Sequence, residues 1–140
     1  MPNTELAARI HSELAHFPEH HDQRTPLAGL RVLRPGAPLT DGTCNAGTTL
    51  SVAGFAAYLS GHTIECDPYR GALAYTPGSR ARRLGDAARD ALGVTAVDAD
   101  WLFAPARTRP RLLTALAQLA DGADHITHPA AARRTPATVS

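Results

Sequence analysis

The chain has 140 residues, a formal net charge of +1, and arginine as its only strongly basic residue type. This length is typical of one domain with a sizeable core, and the near-neutral charge excludes a protein-wide field that would steer the chain to nucleic acid or to an anionic membrane. Aromatic residues make up only 5% of the chain, whereas alanine is abundant. Such a composition favours closely packed helices over a broad sheet.

Two helices are predicted in the N-terminal half. The first begins near Asn3, which can cap it, and ends before Pro18 because the residue that precedes a proline avoids the α region. The second begins at Thr48 or Thr49, runs through LSVAGFAAYLS, and is apolar on nearly every side. A helix of that kind is typical of a buried centre, so we predict that residues 49–60 form the middle of the core.

Between these helices, residues 18–47 lack a helical period and contain several prolines and glycines that break long elements. A short strand is predicted at Leu30–Leu33 inside this insert. A long structureless stretch is uncommon in a compact domain and is typical of a functional loop. We therefore expect the insert to carry much of the candidate chemistry.

Three further helices are predicted in the C-terminal half. The first begins at Ser79 and ends at Gly93, and the second begins at Thr95, with Asp98 completing a shortened capping box. The third carries Pro110 in its first turn, where proline is common, and a stripe of leucines along one side.

A small β-hairpin is predicted near residues 62–76, where a proline-containing turn separates two short segments. The predicted fold is thus mainly α, with about five helices around the buried central helix at 49–60 and the irregular insert at 18–47. Residues 1–126 are expected to form a single helical domain. The small and polar residues 127–140 are expected to form a disordered tail.

Three phrases occur in the chain in the same order as in a known group of proteins. They are PEHHDQ at residues 18–23, AGTTLSVAGFAAYLSGHT at 46–63, and GDAARDALGVTAVDADWLFAPARTRPRLLTALAQLA at 85–120. The chain thereby resembles a group of small uncharacterised proteins of actinobacteria and their phages, whose phrases run H-D-Q, C-G-T-x-x-C-x-A-G-W-A and L-F-x-x-x-R-T. Arginine without lysine, with many Ala, Gly and Pro residues, also suggests a GC-rich genome.

The second phrase departs from the pattern of that group. Ala46 and Ser51 stand where the group has cysteines, and Phe55 stands where it has tryptophan. The resemblance therefore implies that this chain lacks any function that paired thiols carry in the group. It supports the fold and an actinobacterial or phage origin, and it implies no reaction.

Metal-ligand residue types are concentrated around the start of the insert. His16, His20, His21 and Asp22 lie close together in the sequence, and imidazole and carboxylate are ordinary ligands of zinc or iron. Pro18 interrupts the helix between His16 and His20, so a helical i,i+4 metal pair is not expected there. A loop site for Zn or Fe is therefore an alternative, while hydrogen-bonded or solvated histidines of a polar loop are the favoured interpretation.

A thiol enzyme is a second alternative. Cys44 precedes the second predicted helix, and the free N–H groups of a helix start lower a thiol pKa. His62, His21 or His125 could act as its base, and Asp22 or Asp67 could orient that base. Because Cys44 lies outside the first helical turn, where a helix start affects a thiol, a reduced thiol without a catalytic role is the favoured interpretation. The helix start would also suit a phosphate, although the segment lacks the Gly-Lys-Ser/Thr of a P-loop.

Aromatic and arginine residues near the fourth predicted helix suggest a contact surface for another protein. Trp101 and Phe103 flank Leu102, so the three side chains cannot all face inward at helical spacing, and Arg107 and Arg109 follow. Aromatic residues beside arginine are a common composition of interaction hot spots. A short helix that covers the core would explain Trp101 without any partner, and for Trp101 that interpretation is favoured.

We therefore expect a cytoplasmic, non-enzymatic accessory or interaction protein without a cofactor, which contacts an unknown protein partner through the insert and residues 101–111. The alternative is a small metal- or thiol-dependent enzyme centred on His20, His21, Asp22 and Cys44. No signal peptide and no membrane-length apolar run is visible, so a membrane is not expected as a partner, and the net charge disfavours nucleic acid. Self-association into a homo-oligomer stays open.

Overall fold

The computed structural model describes residues 2–39 and 48–127, and this part of the chain contains both α-helices and short strands. The helices are α1 (Thr4–His16), α2 (Val52–Leu59), α3 (Leu84–Leu92), α4 (Ala96–Phe103) and α5 (Arg109–Ala120), with a 3-10 turn at Pro18–His20. The strands are β1 (Leu27–Ala28), β2 (Val32–Leu33), β3 (Thr49–Leu50), β4 (Thr63–Asp67), β5 (Gly71–Tyr75) and β6 (Arg82–Arg83). None of these helices is both long enough and apolar enough to cross a membrane.

The strands form two antiparallel sheets. A four-stranded sheet has the order β2-β4-β5-β6, and β4 and β5 within it are the predicted hairpin, in which Ile64 faces Ala74. A separate two-stranded ladder joins β1 of the insert to β3, just before α2. The five helices and the hairpin are confirmed, but the mainly α class is wrong, because the fold is mixed α and β. Strands of two residues are too short to show a period, and their partners lie far away in the sequence.

The second helix is the buried centre of the core, as predicted. Every residue from Val52 to Ala57 is buried, and the Phe55 side chain is fully enclosed. α1 and α3 pack against this helix, and α5 packs along α1. Burial of a side chain as large as that of Phe55 contributes about 1.5–3 kcal/mol relative to its exposure, so the contacts of α2 are a main source of stability.

The start of α2 differs from the prediction because strand pairing overrides local capping. The helix begins at Val52 rather than at Thr48 or Thr49, since β3 occupies that segment and pairs with β1. The side chain of Ser51 then caps the helix, because its hydroxyl oxygen accepts the Gly54 N–H at 3.2 Å.

The start of α3 also differs, for the same reason. The helix begins at Leu84 rather than after Ser79, since β6 pairs with β5. Arg83 therefore takes the N-cap position, where its side chain makes no capping hydrogen bond. The predicted end is confirmed, because Gly93 adopts a left-handed conformation with φ of 70° that a glycine accommodates without strain.

The insert is a packed layer rather than an irregular loop over its described part. It contains the 3-10 turn, β1 and β2, and the side chains of Leu27 and Leu33 are buried in the core. Its backbone passes so close to α2 that a Cβ atom at Gly54 would overlap the carbonyl oxygen of Pro26. The insert therefore requires a glycine at this position of α2.

The chain after α5 folds back onto α4. The carboxylate of buried Asp98 accepts the backbone N–H of Ile126 at 3.4 Å and lies 3.3 Å from Nδ1 of His125. Ile126 is itself buried and belongs to the core, so it anchors this return segment. Most of the tail predicted at 127–140, and residues 40–47 of the insert, lie outside the described residues.

Candidate functional site

The predicted metal ligands are directed to different places. Nδ1 of His16 lies 2.9 Å from a carbonyl oxygen one turn earlier on α1, whereas Nδ1 of His20 lies 3.3 Å from the carbonyl oxygen of Thr48. The Asp22 carboxylate instead binds the guanidinium of Arg24 at 2.9 Å. Across residues 2–39 and 48–127, no three His, Cys, Asp or Glu side chains are grouped closely enough to hold a metal ion.

His21 points inward and meets Gln23. The turn that carries both residues is fixed on β3, because the Asp22 N–H donates to the carbonyl oxygen of Leu50 at 3.1 Å and His21 forms a bridge to Leu50. Both side chains are buried, with Nε2 of His21 3.0 Å from Oε1 of Gln23. The HHDQ phrase is thus a structural junction between the insert and the core.

The Gln23 side chain connects three elements through its amide. Its Nε2 donates to the carbonyl oxygens of Leu102 at 2.7 Å and Ala104 at 3.2 Å, at the end of α4. Its Oε1 accepts the N–H of Val52 at 3.2 Å, at the start of α2, in addition to the bond with His21. A buried amide whose donors and acceptor are all engaged fixes the positions of the groups around it.

This network also determines the protonation state of His21. Because the Gln23 amide nitrogen faces two carbonyl oxygens, its oxygen faces the imidazole, and Nε2 of His21 carries the proton. Nδ1 then accepts from Nε of Arg109 at 3.4 Å, and the same guanidinium donates to the Pro18 carbonyl oxygen at 3.2 Å. Burial is the main cause that lowers the pKa of His21 from 6.5, the positive charge of Arg109 lowers it further, and the hydrogen bond to Gln23 offsets part of the decrease.

An open cavity of about 430 Å³ lies beside the Gln23 network, where the insert, the starts of α2 and α3, the hairpin and the end of α4 meet. We call it the arginine cavity because Arg24, Arg70 and Arg83 line it. Its apolar wall is formed chiefly by Pro26, Ala72 and Phe103. Among the described residues, none of those that line it is acidic.

The three arginines differ in what already binds them. Arg24 is paired with Asp22, and Nε of Arg70 lies 3.6 Å from the carboxylate of Asp67. The Arg83 side chain makes no capping hydrogen bond at the start of α3, and none of the arginine ion pairs in the described part of the chain involves it. Among the described residues, the cavity is therefore lined by one arginine without an ion pair and two that are paired.

The paired carboxylates are strongly acidic. The side-chain hydrogen bond from Arg24 is the largest of the causes that lower the pKa of Asp22 to about 2. The backbone N–H groups of Tyr69 and Arg70 lower the pKa of Asp67, with Arg70 charge adding to the effect. Both carboxylates therefore stay ionised at neutral pH.

Two uncharged residues, Ser51 and Gly85, also line the cavity. The Ser51 oxygen accepts the Gly54 N–H at 3.2 Å, and no hydrogen bond among the described residues uses its hydroxyl proton. A Cβ atom at Gly85 would meet nothing within 4 Å, so the space beside this lining residue is open.

The predicted partner-binding residues have separate roles. Trp101 is buried, and the guanidinium carbon of Arg107 lies 4.6 Å from its ring centroid while Nε donates to its carbonyl oxygen at 2.9 Å. Arg109 holds the HHDQ turn. Phe103 is half-buried and lines the arginine cavity. Of the four predicted partner-binding residues, it is the one that contributes to the cavity lining.

The described thiol does not meet a catalytic partner. Cys66 is free and half-buried on β4, its Sγ lies 3.8 Å from the carbonyl oxygen of Leu27, and burial raises its pKa. A raised pKa disfavours the thiolate that nucleophilic chemistry requires. Cys44, the cysteine of the thiol hypothesis, lies outside the described residues.

The arginine cavity itself was missed by the sequence analysis. Gln23 stands in a phrase whose histidines suggest a metal site, and the local sequence around Arg70 and Arg83 suggests a turn and a helix start. Only the pairing of β4, β5 and β6 brings these segments together. No local signal in the sequence could have indicated that pairing.

Comparison with known proteins gives no match: no family model, no curated protein and no solved structure is similar to this chain.

Proposed function

We propose that the protein is a non-enzymatic, cytoplasmic interaction protein of an actinobacterium or its phage, and that it binds a partner protein at the arginine cavity. One observation carries this proposal. The insert and residues 101–111, the two regions that the sequence analysis assigned to partner contacts, meet at this cavity through Arg24 and Pro26 on one side and Phe103 and Pro105 on the other.

An extended segment of the partner is the occupant that the cavity suits. Its volume of about 430 Å³ leaves room for a few side chains, and its open form lets a chain enter and leave. Phe103 offers an apolar wall, and the Gln23 amide holds the backbone on both sides of Phe103 in place through the carbonyl oxygens of Leu102 and Ala104. A preformed pocket with an aromatic wall is typical of an interaction hot spot, because little conformational freedom is lost on binding.

Selection of displayed random peptides against the purified protein tests this proposal. Peptides that bind at the cavity should lose about tenfold or more in affinity for Gly85→Met, because Gly85 lines the cavity and the open space beside it admits a long side chain at that wall. The backbone at Gly85 is helical and a Cβ atom there meets nothing, so the variant should fold at least as stably as the wild type. Ala96→Met, at an exposed position away from the cavity, is the matched control and should leave affinity unchanged.

Equal affinity of the selected peptides for the wild type, Gly85→Met and Ala96→Met would contradict the proposal, because the peptides would then bind elsewhere. The thermal unfolding midpoint of each variant shows whether a loss of affinity reflects a blocked cavity or a damaged fold.

A further inference from the structure

We infer that the group which enters the arginine cavity is a carboxylate, so that the partner segment carries an acidic side chain next to an apolar one. This inference rests on the proposed function, because it names the chemistry of the partner at the same site. It follows from the charges, the neutral donors and the apolar wall of the cavity.

The charges favour an anion with a single negative charge. Three arginine residues line the cavity without an acidic residue among the described lining residues. The charges of Arg24 and Arg70 are largely compensated by their own carboxylate partners, which leaves the charge of Arg83 without a partner in the described chain. One uncompensated guanidinium matches one carboxylate, with which arginine forms strong and directional hydrogen bonds.

A phosphate monoester matches this arrangement less well. It carries a charge of about −1.5 to −2 at neutral pH, so it would need a second arginine that is not already paired. Recruitment of Arg24 would require that its bond to Asp22 be given up, and that bond is the largest of the causes that lower the pKa of Asp22. Recruitment of Arg70 would draw its guanidinium away from the Asp67 carboxylate, 3.6 Å from its Nε.

The remaining walls fit the rest of an acidic segment. The Ser51 hydroxyl proton can be donated to a carboxylate oxygen, and the N-terminal ends of α2 and α3 both border the cavity with the positive ends of their dipoles. The hydrocarbon part of the segment can pack on Phe103, Pro26 and Ala72. The cavity therefore combines a place for a negative charge with an apolar surface beside it.

A matched pair of small probes tests the inference directly. 3-Phenylpropanoate and its neutral amide, 3-phenylpropanamide, differ only in the charged group, and phenyl phosphate supplies the phosphate of comparable size. Titration of the isotopically labelled protein, followed through the backbone amide resonances of Gly85 and Ala72, gives an affinity for each. We expect the carboxylate to bind about tenfold more tightly than the amide and more tightly than the phosphate.

The variant Arg83→Gln should reduce the affinity for 3-phenylpropanoate about tenfold, whereas Arg80→Gln, an exposed position outside the cavity, should leave it unchanged. Equal affinities of the acid and the amide, stronger binding of phenyl phosphate, absence of saturable shifts with the acid, or an undiminished affinity of Arg83→Gln would each overturn the inference. The affinity should also fall with added salt, because the charges at the rim are partly exposed.

The inference and the proposed function fail in different ways. If selected peptides are blocked by Gly85→Met but contain no acidic residue and bind Arg83→Gln as well as the wild type, the inference alone is wrong. If the peptides bind outside the cavity while 3-phenylpropanoate binds inside it, the site takes carboxylates but is not the partner surface.

Discussion

Replacement of Gln23 by methionine should destabilise the protein more than any other polar-to-apolar change in the insert. Methionine has nearly the same shape, but it can neither donate to the carbonyl oxygens of Leu102 and Ala104 nor accept from Val52 and His21. Four hydrogen bonds are lost, each with a net value of about 1 kcal/mol, and their partners stay buried. The free energy of unfolding should therefore fall by about 4 kcal/mol.

Urea unfolding monitored by circular dichroism measures this change, and a parallel thermal melt should show a midpoint lower by roughly 12 °C for a chain of this size. Gln118→Met is the matched control, because Gln118 is only partly buried and accepts one backbone N–H, from Thr127 at 2.8 Å. It should cost about 1 kcal/mol. A loss below about 1 kcal/mol for Gln23→Met would refute the argument that this amide joins the insert to α2 and α4.

The remaining predictions concern packing, pH and the enzyme alternative. Gly54→Ala should lower the free energy of unfolding in urea by about 2 kcal/mol despite its gain in helix propensity, because the new methyl group overlaps the Pro26 carbonyl oxygen. Gly85→Ala is the control. It should be neutral or stabilising in the same assay, because a Cβ atom there meets nothing within 4 Å. Because the pKa of His21 is lower in the folded protein than in the unfolded chain, the unfolded chain binds a proton at this imidazole first as the pH falls. The contribution of His21 to the free energy of unfolding is therefore complete above pH 6.5 and is lost as the pH falls towards the folded-state pKa. Urea unfolding at several pH values should show this dependence in the wild type and a weaker one in His21→Asn. Elemental analysis should find no stoichiometric zinc or iron, and Cys44 should react with iodoacetamide at the rate of an ordinary thiol; a stoichiometric metal that is absent from His21→Ala, or a fast thiol, would favour the enzyme alternative.

Elements with strong local signals could be predicted from the sequence. The Asn3 side chain caps α1, the Thr95 hydroxyl accepts the Asp98 N–H at 3.2 Å as the capping pattern predicts, and Gly93 ends α3. These features depend on residues within one turn of each other, so the local sequence contains all the necessary information.

Features that depend on distant pairing could not be predicted in this way. β1 and β3 are two residues each, and their pairing moves the start of α2 from Thr49 to Val52. In the same way, β6 consists of exposed Arg82 and Arg83, which as a sequence suggest a solvated helix start. The identity of the strand partners is set by the packing of the whole core, which a single sequence does not display.

The same distinction between local signals and distant pairing applies to the candidate site. The sequence indicated the HHDQ phrase and Phe103 as residues of interest, and both border the site in the structure. Within the HHDQ phrase, the sequence drew attention to the histidines, whereas the side chain that joins the insert to α2 and α4 is that of Gln23. The convergence of Arg24, Arg70 and Arg83 could not be predicted, since it arises from a sheet that brings the hairpin and the start of α3 to the insert.

A chemical-shift map of the labelled protein with a peptide selected from the random library tests the central claim most directly. The account predicts that the largest shifts fall on residues that line the arginine cavity, such as Ser51, Ala72, Gly85 and Phe103, and that they are lost in Gly85→Met. Shifts confined to the outer surfaces of α1 and α5, unaffected by Gly85→Met, would contradict it.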